Sequence, residues 1–312
     1  MPLLKGAPRR LRRSVGEFAG LLSRHWPLPR GRDRLALIAA GLGALPEPLD
    51  TVVSALGHHV TIDPSVFFYR HAYFTGIYEP GISLLLKCLV ARRSVCADIG
   101  ANIGWHSLAI ASMAGPDGRV HAFEPFPANF ERLQGNTAAN GLADVIIANQ
   151  LAVADRAGTC QIHVEDGQPA THASLGIGAR DGTTAMVETV ALDDYRAGVL
   201  RDGVDLIKVD VEGAERLVLA GAHRILASPL APALVIEAAE ATARPFGYAP
   251  NDLLDDLEKL NAFRFFVIDD ARGVLTPLER FPPGHIGANI LALPAGRTEE
   301  LSRLKTARLL AH

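Results

Sequence analysis

The sequence predicts an α/β protein: a mostly parallel sheet with helices on both faces. Two observations carry this. From residue 76 onward, apolar strand-like runs alternate with helical patterns. The runs are "SVCADIG" (94–100), "RVHAFEP" (119–125), "DVIIANQLAV" (144–153), "DLIKVDV" (205–211), "ALVIEAA" (233–239), "FRFFVID" (263–269) and "GANILALP" (287–294). Helical stretches lie near 103–114, 127–140, 213–227 and 250–261. Strands separated by helices pair in parallel and are covered on both sides. The second observation is the turn "DIGANIG" (98–104), which follows the first run where open parallel sheets hold their ligands.

Taken in order, residues 1–75 read as a basic arm and an accessory segment. "RDRLALIAAGLGAL" is a plausible helix, and "GHHVTIDPSVFFYR" reads as one or two strands, with His58 and His59 at the surface. Residues 1–34 hold nine Lys and Arg against Glu17 and Asp33, a net +7; with −3 overall, the rest carries −10. Such an arm is a solvated terminus or a contact for an anionic surface, and the acidic body behind it argues against nucleic acid. Residues 76–295 form the main domain, with 48% apolar residues overall to build its core. Within it, 155–195 break the alternation: "GTCQIHVED" and "AMVETVALDDY" read as extra strands around the loop "GQPATHASLGIGARDG". The last two runs have no helix between them, so the final strand is expected to insert antiparallel. Residues 296–312 form a helical tail. Cys88, Cys96 and Cys160 make no CxxC pair and no metal spacing, which fits a reduced, cytoplasmic compartment. No apolar run reaches the ~18 residues that span a bilayer.

Three kinds of ligand compete for the turn at 98–104. A dinucleotide wants G-x-G-x-x-G, but the pattern here is D-x-G-x-N-x-G, with Asp98 where a diphosphate would bring negative charge. A phosphate loop needs G-K-[ST], which is absent. A ligand with a cationic amino-acid end fits better. Gly100 and Gly104 let backbone approach it, Asp98 can face an ammonium or sulfonium, and helix N–H groups can face a carboxylate. Glu124 closes the next strand, 20 residues after Gly104, where an acid takes both hydroxyls of a ribose. That ligand is S-adenosylmethionine.

The chain resembles the FkbM family of S-adenosylmethionine-dependent methyltransferases over roughly residues 76–293. The likeness rests on "GIYEPG", "ADIGANIGWHS", "FEPFPANFERLQGN", "LAVADRAG" and above all "LIKVDVEGAERLVLAGAHRIL" followed by "LVIEAA". The resemblance implies the seven-stranded class I methyltransferase fold with its last strand antiparallel. It implies methyl transfer, most often to a hydroxyl of a sugar, glycan or natural product. Asp98, Gly100, Asn102 and Gly104 match its cofactor turn, and Glu124 its ribose acid. Ala152 falls where the adenine edge is approached, and Glu79 matches a family acid before the first core strand. His172, in "THASLG", resembles a family segment near the mouth of the site, as a base or substrate contact.

Lys208, Asp210 and Glu212 occupy alternate positions, which on a strand share one face. In a sheet covered on both faces they would gather at the strand's carboxyl end, beside the cofactor, because burying them unpaired is costly. Asp210 is the first candidate base or acceptor-orienting group. Lys208 is its ionic partner or a donor to developing alkoxide, and Glu212 an orienting group. The competing reading is a structural ion-pair network. Glu215, in the first turn of the next helix, suits a structural role. A metal on Asp210, Glu212 and Glu237 has no histidine spacing behind it, so none is expected. Trp105 and His106 are expected to pack in the core, and His163 lies in the irregular region. An O-methyltransferase of small molecules or saccharides is the leading reading. A nicotinamide oxidoreductase and a non-catalytic scaffold recruited through the arm are the others.

Overall fold

The chain divides into two units, residues 1–79 and 80–312, in a computed structural model that describes residues 8–24, 50–64, 66–165, 174–175, 182–199 and 203–311. The first unit contains α1 (Arg9–Arg24), β1 (Asp50–Val53), β2 (His59–Ile62) and α2 (Phe67–Thr75). β1 and β2 pair as an antiparallel hairpin with Val52 opposite Val60. Ser54 Oγ accepts the N–H groups of Leu56 and His58 and closes the turn. This draws His58 inside, contrary to expectation, and only His59 faces solvent. "FFYR" is also a helix rather than a strand. Tyr69, Ala72 and Tyr73 are buried at helical spacing, and Gly76 ends the helix at φ 72°. Burial along that face overrides the β preference of the aromatic residues. The expected helix in "RDRLALIAAGLGAL" lies outside the described residues.

The second unit runs α3 (Pro80–Leu89), β3 (Val95–Ile99), α4 (Trp105–Ala114), β4 (Arg119–Phe123), α5 (Pro127–Ala139) and β5 (Ile146–Asn149). Then come β6 (Ala152–Val153), β7 (Gly158–Glu165), β8 (Ser174–Leu175), β9 (Gly182–Val190), α6 (Leu192–Val199) and β10 (Leu206–Val209). The last part holds α7 (Glu215–Gly221), α8 (His223–Leu226), β11 (Ala233–Ala239), α9 (Glu240–Ala243), α10 (Pro250–Leu260), β12 (Phe263–Asp269), β13 (Val274–Leu278), β14 (Gly287–Pro294) and α11 (Thr298–Thr306). The main sheet has the order β13-β12-β14-β11-β10-β3-β4-β5. β11, β10, β3, β4 and β5 are parallel, and β14 inserts antiparallel between β11 and β12. This is the class I methyltransferase arrangement with an eighth strand. "VLTPL" folds back on β12 as an edge hairpin, where seven strands were expected.

"DVIIANQLAV" is not one strand. β5 ends at Asn149, and β6 leaves the main sheet to pair with β9 in a second sheet of order β6-β9-β7-β8. Strand order reverses between β3 and β10, because the chain builds β4 and β5 outward on one side and returns to the other. Right-handed crossovers place α4 and α5 on one face and α7, α8 and α10 on the other. Ile99, Ile207, Val209, Leu234, Ile236 and Ile290 face the second group and pack on Val218, Leu219, Leu253 and Leu257. Strand alternation sends Asp98, Lys208 and Glu237 to the first face, so the polar residues of these strands share the side that carries α4.

Candidate active site

The site lies where β3 and β10 end side by side, at the reversal of strand order. The turn after β3 has an alternating backbone: Gly100, Asn102 and Gly104 have φ of 77°, 51° and 88°. Glycine tolerates this left-handed conformation freely and asparagine better than most residues, which is why those three residue types alternate. The N–H groups of Gly100 and Ala101 both reach the Phe123 carbonyl at the end of β4. The N–H of Asn102 donates to Glu124 Oε2 at 2.8 Å. A Cβ on Gly100 would lie 1.8 Å from the Asp210 carbonyl oxygen, and the Asp210 N–H donates to Ile99 O at 3.0 Å. The loops after β3 and β10 are therefore in direct backbone contact.

Asp98 is buried and accepts the Ser107 hydroxyl on Oδ2 at 2.6 Å. Its Oδ1 is buried with no hydrogen-bond partner among the described residues. Lys208 is its register partner on β10, 3% exposed, and donates to Asp210 Oδ2 at 3.0 Å. Asp210 stands one residue past β10 with its side chain one-third exposed. Glu212 is not on the strand. It sits in a tight turn at φ 52°, followed by Gly213 at 104°, so the expected row of three charges is a row of two with Glu212 beyond it. Glu215 closes that turn by accepting the N–H groups of Val211 and Gly213, and the Tyr248 hydroxyl lies 2.6 Å from its Oε2. Burial raises the Glu215 carboxyl above its ordinary value.

Glu237, at the end of β11, is the residue that the sequence reading undervalued. Its Oε2 is buried and has no hydrogen-bond partner among the described residues. Burial first, then the charges of Asp210, Glu212 and Glu215, push it up to about 9 against the pull of Lys208. The signal was an acid interrupting the apolar run "LVIEAA". Glu124 is buried and takes N–H groups from Asn102 and Phe126, with the Asn129 amide at 3.5 Å. Burial still pushes it up to about 7. Ala152 lies on β6, in a small apolar cluster with Phe126, Ile162 and Val187. Trp105 and His106 are buried on α4. Buried His163, on β7, has no partner for either ring nitrogen among the described residues. Glu79 ends the first unit at φ 44°. His172 lies outside the described residues. Among those residues no group of three or more His, Cys, Asp or Glu is placed to hold a metal ion.

A family profile described as "Methyltransferase FkbM domain" matches residues 98–265, more than half of the chain, from the cofactor turn through β10 and β11. The chain belongs to the FkbM methyltransferase family. It is an S-adenosylmethionine-dependent methyltransferase. The 31-O-demethyl-FK506 methyltransferase FkbM of Streptomyces tacrolimicus is 29% identical over 192 residues, covering 52% of this chain and 70% of its own. The hexuronic acid methyltransferase AglP of Haloferax volcanii is 27% identical over 191 residues, covering 61% and 75%. A solved FkbM methyltransferase from Methylobacillus flagellatus matches 64% of this chain at 18% identity and a TM-score of 0.42, and this chain spans 43% of that one.

The residues present suit this FkbM cofactor. Buried Lys208 stands in register with Asp98 and pairs with Asp210, while Glu212 and Glu215 add their charges near the protonated Glu237, so ionised acids outnumber the lysine. A sulfonium and an ammonium supply the missing positive charge. The Asp98 oxygen without a partner can accept a hydrogen bond from such a ligand. Each Glu124 oxygen retains lone-pair capacity for a ribose hydroxyl beside its backbone donors.

Proposed function

We propose that this enzyme methylates a hydroxyl of a sugar, glycan or natural-product acceptor, and that Asp210 takes the acceptor's proton. One observation carries the reading: a buried lysine and a half-open carboxylate form an ion pair whose backbone abuts the cofactor turn. The relatives support the acceptor class. One is named for a 31-O position of FK506 and the other for a hexuronic acid.

S-adenosylmethionine, when bound, supplies a methyl group on a sulfonium for in-line displacement by the acceptor oxygen. Asp98 and the Gly100–Gly104 turn hold its amino-acid end, Glu124 its ribose, and Ala152 borders its adenine. Glu79 joins this set through the family likeness. Asp210 accepts the hydroxyl proton as the oxygen attacks. Lys208 holds Asp210 in place and stabilises charge developing on the oxygen. Glu212 and His172 orient the acceptor. Alignment of donor and acceptor supplies ~7–11 kcal/mol of such a barrier.

The test has two variants. Titration calorimetry with S-adenosylhomocysteine is expected to show binding that falls at least about tenfold in Asp98→Ala, which leaves a ligand cation without its anion. Asp210→Asn should keep that binding but lose about 10²–10⁴-fold in methyl transfer from labelled S-adenosylmethionine to a panel of hydroxylated acceptors. Wild-type turnover by Asp210→Asn would remove Asp210 from the chemistry.

A further inference from the structure

Helix α1 carries an apolar stripe whose described residues are largely exposed. Leu11, Val15, Phe18 and Leu22 recur at helical spacing and form one apolar stripe. In a globular domain such a stripe faces the core. Here Leu11 is 49%, Phe18 60% and Leu22 39% exposed. Among the residues of α1 whose burial is described, the buried one is Gly16, five positions from Leu11 and thus about 140° away around the axis. The helix rests against α2 and leaves its stripe in water. The sequence of the helix is strongly basic: Arg9, Arg10, Arg12, Arg13 and Arg24 against Glu17 alone, a net +4.

We propose that α1 is a membrane-surface anchor, lying in the plane of an anionic bilayer with Leu11, Phe18 and Leu22 in the headgroup–acyl boundary. An apolar stripe on a strongly basic helix matches the two components of such an interface, acyl chains and anionic headgroups. Nucleic acid would use the arginines and leave the stripe exposed. A second copy of α1 would bring five more arginines to the same contact. The helix lies on the bilayer and does not cross it, since no described helix is long and apolar enough to span one. The residues after 34 carry a net −10, so the attraction is confined to this end of the chain. An enzyme anchored this way meets acceptors concentrated at a lipid surface. The anchoring itself does not depend on which hydroxyl is methylated.

Co-sedimentation of the full chain with vesicles tests this. One set is pure phosphatidylcholine and the other contains about one-third phosphatidylglycerol. The wild type should pellet with the anionic vesicles, poorly with the neutral ones, and less as salt is raised. Phe18→Glu should lose about tenfold or more of that binding, because it removes the largest inserted side chain and adds a repelled charge. Phe18 is exposed, so the variant should fold, and unchanged S-adenosylhomocysteine binding would confirm that. Equal binding to both vesicle types, no binding to either, or unchanged binding by Phe18→Glu would overturn the proposal. So would sedimentation equilibrium showing a wild-type dimer that Phe18→Glu dissociates, which would make the occupant a second copy of the chain.

Discussion

Burial raises the carboxyls of Glu124, Glu215 and Glu237, and two of these shifts have measurable consequences. Glu124 sits at about 7 because burial outweighs the N–H groups of Phe126 and Asn102 and the Asn129 amide. Under the proposed function ribose hydroxyls donate to the ionised carboxylate, so binding favours loss of its proton. Affinity for S-adenosylhomocysteine should therefore rise between about pH 6 and 8 and level off above, and Glu124→Gln should flatten the slope. Calorimetry in buffers of different ionisation heat would show the released proton. Glu237, at about 9, lies above its ordinary 4.5. The folded protein thus holds a proton that the unfolded chain has released. The associated stability is full below the unfolded value and declines as pH rises through the folded one. Glu237→Gln keeps the neutral shape without the titration. Its stability relative to wild type in urea unfolding should grow steadily between about pH 5 and 9. A difference that does not change with pH would mean that Glu237 is ionised in the fold.

Among the elements, the turn from β3 into α4 was readable as a tight turn, because Gly100, Asn102 and Gly104 are the residues that its three left-handed positions need. What could not be read was the neighbour each glycine faces. A Cβ on Gly100 meets the Asp210 backbone at 1.8 Å, whereas one on Gly104 meets the movable end of Leu133 at 2.6 Å. Both variants carry the conformational cost of a positive φ, about 1–2 kcal/mol. Gly100→Ala should add a backbone displacement, lose several kcal/mol in all and abolish cofactor binding. Gly104→Ala should fold and bind weakly. Thermal unfolding beside calorimetry separates them, and equal losses would show that the two loops are not locked. The split of "DVIIANQLAV" between two sheets was equally hidden. Both halves are apolar, and only the tertiary pairing of Ala152 with Thr189 tells them apart. Likewise "FFYR" became helix because its buried face is set by neighbours distant in sequence.

Over the whole molecule, the parallel strands and the glycine turn after β3 were legible because apolar runs and helical patterns alternate regularly there. The accessory first unit was less so, since its strands of four residues each are too short to carry a period of their own. The two ends of the main sheet also divide their labour. Arg297, before α11, donates to the carbonyls of Ala231 and Val204, where the chain enters β11 and β10, and pairs with Glu300. Arg297→Ala should cost about 1–3 kcal/mol in urea unfolding by orphaning those groups, and leave affinity for S-adenosylhomocysteine unchanged. A fall in affinity would show that the sheet transmits the change to its other end. At the carboxyl end, the contact of Gly100 with Asp210 has a consequence for descent. The loops after β3 and β10 can drift only together, so under the proposed function a lineage built on this chain cannot explore new acceptors by reshaping either alone. Innovation is left to β7, β8 and β9, which follow β6 in the small sheet and can be exchanged like a tool head while the handle stays the same.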